Sequence, residues 1–486
     1  MGHGPANGSG QGCSIELEAA AEPAAAFPEE ARRWRERQTL KTAGAGIAAQ
    51  AVSYAIRLAV VPLSLKLLGT EGYGLFLAVG SLVAWGGLAD LGMSAGLVNV
   101  VGSALGKGDN AGARRAISAA LWVFIGSSTL VAVAAIALSR WDRLARVLGL
   151  PDGSHTQEVG ALVAICGVIL AGSLGLRTIS SVCLAVQKGY WNSIFQVASS
   201  GCALAILGLL AWRGATLADY ALAVGLPPLL CQVILAGLLF GAWRKDLRPG
   251  FERPDRQALR TLWSYAAPLT LAQLANLALV YTPNLMIANR LGPGAVPLFA
   301  VPWSLFVVFS TFIYQVTSAH LPAYCDAYGR EDWKWIRNRA VQVVTHCAAI
   351  MALVSFGVLA VGEPAIRIWT RGLVSPGWTI LGPLCGFAFF EVLAAANGIF
   401  LTGIGRVRAR AVLRLAAAGI FVSVAWSLLP RWGVAGLAVA GGAAQCVDAA
   451  GCLAYGLWWM RDRAGGKGTQ IPAAPTERRS GISYGH

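Results

Sequence analysis

The 486-residue sequence predicts an all-α polytopic membrane protein, with about twelve transmembrane helices in two pseudo-symmetric six-helix bundles. Three observations carry that expectation. Hydrophobic residues make up 56% of the chain and charged residues only 13%, about half the roughly 25% charge of a soluble domain. The chain divides into apolar runs of about 20 residues, the length a helix needs to cross a bilayer. Features of its first half recur in the second at an offset of 223 residues. The missing charge excludes an ordinary soluble enzyme and a disordered chain.

In chain order, residues 1–43 read as a cytoplasmic N-terminal tail. It is Gly/Ala/Pro-rich to Phe27, without the apolar core of a secretory signal, and then a basic helical lead-in, PEEARRWRERQTLK. Six spans are expected near 44–65, 75–97, 116–138, 160–184, 193–212 and 221–243, forming a first bundle over 44–243. A basic cytoplasmic linker, 244–263, contains RKDLRPGFERPDRQALR. Six more spans near 264–286, 298–322, 340–361, 379–403, 412–429 and 434–459 form a second bundle over 264–459. Residues 460–486 read as a disordered cytoplasmic tail. No loop is long enough for a separate domain, so function belongs inside the bundle.

The net charge of +15 has three common sources: nucleic acid, an anionic membrane face or an anionic substrate. Location separates them. Of the 39 Lys and Arg, 28 fall on the side of the two termini, 9 on the other, and Arg57 and Arg177 lie within spans. This is a positive-inside pattern, with both termini cytoplasmic. Most of the surplus therefore orients the chain, and nucleic acid drops out as a partner.

The repeat aligns Leu68-Gly69 with Leu291-Gly292, Leu75-Phe76 with Leu298-Phe299, and Ser81-Leu82 with Ser304-Leu305. Further on, Ala104, Gly106, Asp109 and Arg114 meet Ala327, Gly329, Asp332 and Arg337, with Lys107 opposite Arg330. The shared pattern is G-[KR]-x-D-x4-R. Two halves with an even number of spans run in the same sense, the layout of transporters that rock two bundles about a central site.

Ionisable groups in hydrocarbon normally face the bundle interior or a wet cavity. Arg57 sits mid-span below Gln50, Ser53 and Tyr54, giving that helix one polar face. Arg177 lies on a stripe with Ser173, Ser180 and Ser181, and span 7 carries Thr270, Gln273, Asn276 and Asn284. These are candidate substrate-binding groups, and interhelical bonding is the competing reading. The buried acids are Asp90, Glu391 and Asp448, which either couple to an ion or neutralise arginines. Depth along the helices permits Arg57–Glu391 and Asp90–Arg177 pairs. Arg414, near a helix end, is expected to snorkel to the interface. The ten cysteines are scattered singly, without metal or disulfide spacing, and no cofactor, metal or catalytic motif is expected.

The hairpin PLSLKLLGTEGYGLF, followed by LADLGMSAGLVNVVGSALGKGDNAGARRAIS, resembles the amino-terminal signature of bacterial polysaccharide flippases. NLMIANRLGPGAVPLFAVPWSLF, TSAHLPAYCDAYGREDWKWIRNRA and AIRIWTRG are similar to the same family's second half. These transporters belong to the multidrug/oligosaccharidyl-lipid/polysaccharide exporter superfamily, and the resemblance covers about residues 40–460. It implies a V-shaped, MATE-like pair of bundles that carries an undecaprenyl-pyrophosphate-linked oligosaccharide across the bacterial inner membrane, working beside other polysaccharide-assembly membrane proteins. Span 7 of the family often carries an acid near the position of Asn284, so a coupling role is not carried over to that amide. Arg57 and Arg177 would hold the pyrophosphate, since guanidinium presents a fork of donors to phosphate oxygens. No GxxxxGK[ST] loop is present, so an ion gradient, the membrane potential or product consumption would drive transport.

Two alternatives stand beside the flippase. A multidrug exporter of the same superfamily would share the fold but want an acidic, aromatic cavity. A membrane polymerase or ligase would want a sizeable outer loop, and the longest here, about Ser139 to Gly160, is short.

Overall fold

A computed structural model describes residues 28–150, 156–250 and 256–464. Among them the order is α1 (Pro28–Ala84), α2 (Met93–Gly106), α3 (Asn110–Ser139), α4 (Leu144–Val147), α5 (Thr156–Ala185), α6 (Tyr190–Arg213) and α7 (Leu217–Leu238). There follow α8 (Arg256–Leu291), α9 (Val296–Ser318), α10 (Leu321–Gly329), α11 (Trp333–Trp369), α12 (Gly377–Gly403) and α13 (Val407–Ala464), with no strand among the described residues. The lead-in from Pro28 is helical. Residues 460–464, expected to begin a disordered tail, instead continue α13, because the apolar run carries the helix past its expected end; residues 1–27 and 465–486 lie outside the described residues.

Nine helical stretches among the described residues are long and apolar enough to cross a membrane. Two of them, Gly46–Gly106 and Val407–Arg461, run 61 and 55 residues, far beyond the roughly 20 that one crossing takes. Each reverses at a glycine, Gly69 (φ 70, ψ −177) and Gly433 (φ 56, ψ −143). Tyr220 marks the first reversal, because its hydroxyl lies 2.6 Å from Ser64 Oγ while its ring centroid lies 4.7 Å from that of Phe76. A straight helix would hold those two residues about 18 Å apart. At the second, a Cβ on Gly436 would stand 2.6 Å from the Leu428 carbonyl oxygen, where a straight helix would separate the residues by about 12 Å. The spans expected near 44–65 and 75–97 fall in the first doubled-back stretch, those near 412–429 and 434–459 in the second, and that near 264–286 in the 36-residue α8, which is not among the nine.

The repeat is visible in backbone geometry. Gly292, aligned with Gly69, has φ 85 and ψ 160 and opens the equivalent turn. The aspartates of the G-[KR]-x-D pattern are both helix N-caps. Asp109 accepts from the Gly112 N–H at 2.7 Å at the start of α3, and Asp332 from the Trp335 N–H at 3.0 Å at the start of α11. The residue before each is left-handed, Gly108 at φ 74 and Glu331 at φ 58. The motif therefore encodes a helix end, a left-handed residue and a cap.

Packing distinguishes the two ends of the molecule. At the end away from the basic loops, Leu75, Leu144, Leu148 and Leu162 share one core with Ile287, Val296, Leu384 and Val434. At the basic end the cores are separate. Leu97, Ile117, Val182 and Leu247 pack together with Leu262 at the start of α8, while Tyr324, Ile336, Phe400 and Trp459 form another cluster. The halves thus join at the low-charge end and part toward the basic one. The start of the linker folds onto the first half: Arg244 forks onto Asp246, and the Gly250 N–H donates to Ser118 Oγ at 2.9 Å. The hydrogen bonds from Arg244 hold the Asp246 carboxyl below the usual carboxylate range.

Glu331 occupies a left-handed position that its counterpart fills with glycine. Glu331→Gly is expected to stabilise the protein by about 1 kcal/mol, read as a higher unfolding temperature in detergent, and Gly108→Glu to shift it the other way.

Candidate functional site

The first element of the site comes from a break in the second span. After α1 the chain tightens into a 3-10 turn, Trp85–Asp90, and passes through left-handed Leu91 (φ 50) and Gly92 (φ 68) before α2 begins. The break leaves Asp90 buried at the head of α2, where Ser94 Oγ donates to its Oδ1 at 2.6 Å. Arg177 of α5 brings Nη1 to 3.6 Å from Asp90 Oδ2, so the pair permitted by depth does form. At that distance it is an ion pair without a hydrogen bond. The Asp90 side chain is 7% exposed and that of Arg177 39%. Arg177 makes no hydrogen bond to another described residue, and its fork opens into a cavity of about 550 Å³. Ser94, Asn99, Ser180 and Ser181 line that cavity beside it. The wall is braced from behind: Ser181 Oγ donates to the Ser94 carbonyl at 3.0 Å, and Ser180 Oγ to Gln232 Oε1 at 3.2 Å. One positioned cation among hydroxyls and an amide can hold a phosphate and hydrogen-bond its neighbours.

Arg57 is exposed, with its guanidinium carbon 5.5 Å from the Tyr54 ring centroid. Tyr54 points to the second half, its hydroxyl 2.7 Å from Thr311 Oγ1 of α9, whereas Ser64 points into the first half, toward Tyr220. At about 100° per residue, Arg57 projects between those two directions, toward the space between the halves. Gln50 shares that side and is half-buried, while Ser53 is buried with an unpartnered hydroxyl.

Other expected site residues are placed differently. Glu391 does not pair with Arg57. It lines a separate cavity of about 190 Å³ with Ser310, Thr311, Tyr314 and Thr317, and the cation whose charge reaches it is Arg414. Depth along a helix left the direction of each side chain open, and here the two directions diverge. Gln273 Nε2 donates to the Gly87 carbonyl at 3.2 Å and Asn284 Nδ2 to Ser81 Oγ at 3.0 Å. Both amides tie α8 to the 3-10 turn and the end of α1, while Asn276 is exposed.

Arg414 does not snorkel. It is 12% exposed and bonds Gln445 Oε1 at 2.6 Å and Asp448 Oδ2 at 2.9 Å, because the fully buried Asp448 supplies a better partner than the interface. Arg410 completes the node with Nη1 at 2.7 and 2.9 Å from the two Asp448 oxygens. It lies in a groove over Gly398 that a Cβ there would fill. Sequence reasoning placed these arginines at a loop and a helix edge. The signal was their spacing, Arg406, Arg410 and Arg414, one face of a helix at four-residue steps.

The first half contains the same construction with neutral parts. Left-handed Gln187 precedes Lys188, whose ammonium lies 4.5 Å from the Trp243 ring, and left-handed Gly405 precedes Arg406, 4.5 Å from the Trp459 ring. In both turns the backbone N–H of the cation reaches back five residues, to the Cys183 and Leu401 carbonyls. Burial under the indole, with Arg244 adding like charge, pushes the Lys188 ammonium down. Where Arg410 lies over Gly398, Asn192 Nδ2 donates to the Ser180 carbonyl at 3.0 Å, and Gln232 takes the place of Asp448.

The sequence profile of a family described as "Polysaccharide biosynthesis protein" matches residues 39–326. No curated protein matches the chain in sequence. Among solved structures, the chain is similar to an inward-facing multidrug resistance MATE family transporter of the MOP superfamily, with TM-score 0.69 and 16% identity over 87% of this chain and 96% of that one. The outward-facing conformation of a multidrug resistance MATE transporter gives 0.63 and 15%, over 89% and 96%. A MOP superfamily transporter from Pyrococcus furiosus, described as having a binding pocket of reverse polarity, gives 0.61 and 14%, over 88% and 96%. At these identities the likeness is one of fold.

The Asp448 node has a direct stability test. Asp448→Ala strands two half-buried arginines and is expected to cost about 3 kcal/mol, measured as loss of folded protein on heating in detergent. Replacing all three, Arg410→Met, Arg414→Met and Asp448→Leu, is expected to return stability to near the starting value.

Proposed function

The chain belongs to the polysaccharide biosynthesis protein family, and on that footing we propose that it is a flippase for a lipid-linked oligosaccharide. The family and fold are those of membrane transporters, and the protein is a multi-pass membrane protein. The fuller reading has twelve crossings in two six-helix bundles, both termini in the cytoplasm, in a bacterial inner membrane. The cargo is an undecaprenyl-pyrophosphate-linked oligosaccharide moved by alternating access for cell-surface polysaccharide assembly.

The observation that carries this reading is the state of Arg177. Asp90 fixes its charge in place without a hydrogen bond, so its donors stay open in a cavity of hydroxyls and an amide. The cavity lies between α2 and α5, on the side of the molecule where the halves part. A cavity of about 550 Å³ suits a phosphate and the groups next to it. The rest of a sugar chain would occupy the space toward which Arg57 projects, and the polyprenyl tail would remain in lipid. A site for cationic drugs would place acids where Arg57 and Arg177 stand, which favours the flippase over the drug exporter.

A charge-assisted phosphate contact contributes about 1.5–3 kcal/mol. Arg177→Gln is therefore expected to weaken apparent cargo affinity about 10- to 100-fold, and Arg57→Gln to act in the same direction. The measurement is lipid-linked oligosaccharide on the cytoplasmic leaflet of cells expressing each variant at the normal level. Accumulation supports the assignment. Export at the parental rate in Arg177→Gln removes Arg177 as the phosphate ligand.

A further inference from the structure

The halves meet at the low-charge end through bare backbone. A Cβ on Gly74 would collide with the Pro293 carbonyl oxygen, and one on Gly149 with the Ala288 carbonyl oxygen. Gly74 follows the reversal at Gly69, and Pro293 follows the equivalent reversal at Gly292, so the two turns related by the repeat rest on each other. Gly149, at φ 75, closes the loop after α4, and its Cβ would also stand 3.2 Å from Gly292 Cα. One side-chain bond seals the same seam, Asn289 Nδ2 donating to the Val147 carbonyl at 2.9 Å. Leu144 and Leu148 fill it with Ile287 and Ala288, all at most 2% exposed.

Gly74 is the informative residue. Glycine is disfavoured within a helix, and Gly74 has no left-handed backbone to justify it. The close approach of the Pro293 carbonyl does justify it. The same seam is missing at the basic end, where the two cores are separate.

We propose that this seam is the gate on the low-charge face, and that Gly74 and Gly149 set how tightly it shuts. A methyl group at either position holds the turns apart, because a backbone carbonyl cannot rotate away as a flexible side chain can. Opening on this face separates α8 and its following turn from the helix start at 69–74 and the loop at 144–150. The inference concerns the motion and is independent of the cargo.

The test reads the gate without substrate. Ala145, buried in the seam at 2% exposure, is replaced by cysteine in a protein whose ten native cysteines are removed. Its reaction with a membrane-impermeant maleimide is timed from each side, in cells and in inverted vesicles. Gly74→Ala and Asn289→Ala are each expected to raise the rate from the low-charge side about tenfold, leaving the basic side unchanged. Gly80→Ala, whose Cβ would meet nothing within 4 Å, is expected to leave both rates unchanged. Parental rates in Gly74→Ala and Asn289→Ala, or equal rises from both sides, overturn the proposal. If Gly74→Ala does not reach the membrane, Asn289→Ala decides alone, since it removes a single hydrogen bond.

Discussion

An arginine placed in hydrocarbon must find a partner, and the way each one does so governs the rest of this protein. Asp448, fully buried, takes two oxygens' worth of hydrogen bonds from Arg410 and Arg414 and thereby welds the two arms of α13 together. Asp90 does less for Arg177: it neutralises the charge at 3.6 Å and leaves the donors free. Among the described residues, Arg57 has the face of Tyr54 and the space between the halves. The same side chain is thus structural in one place and available in two others. The difference lies in how many of its five donors the protein itself consumes.

The internal duplication sharpens that contrast. Both halves place a cation after a left-handed residue, stack it on a tryptophan near the end of the last long helical stretch of the half, and set a polar node beneath it. In the second half the node is Arg410, Arg414 and Asp448, while in the first it is Asn192, Ser180 and Gln232. A charged node in low dielectric has a large penalty for any change that separates its partners, whereas amides and hydroxyls exchange partners cheaply. The half with the neutral node is also the half whose Ser180 borders the Arg177 cavity. The second half is accordingly tied by a charged node and the first by a neutral one.

The features legible in the sequence were those that depend on composition or on a preserved offset. Apolar runs marked the helices because lipid imposes length, and Gly69 with Gly292 aligned because only glycine accepts their backbone. The Asp90–Arg177 pair was legible from depth since both groups also face the same neighbour. Arg57 and Glu391 share a depth as well, and their separation shows that depth fixes one coordinate out of three. The matching of Lys188 with Arg406 and of Trp243 with Trp459 is not legible in the sequence, for another reason. Those turns sit a few residues off the 223 offset, and at the node the identities changed while the geometry stayed. The amides of span 7 resembled a cavity wall because interhelical and ligand-facing amides look alike in sequence. Only Gly87 and Ser81, far away in the chain, tell them apart.

The distribution of packing gives these residues a direction. Apolar side chains from both halves merge at the low-charge end and divide into two clusters at the basic end. A merged core is stable because burial is shared, and dividing it on an open face exposes apolar surface to water as well as to lipid. That cost is spread over many small contacts, whereas separating a buried ion pair concentrates several kcal/mol in one place. The bound charges, by contrast, never leave their own half: Arg177 stays with Asp90, and Arg410 and Arg414 stay with Asp448. Motion between the halves would therefore divide apolar contacts and neutral hydrogen bonds such as Tyr54–Thr311 and Asn289–Val147, and would spare the ion pairs. A bundle that confines its charge pairs within each half can reverse which end is joined without breaking one of them.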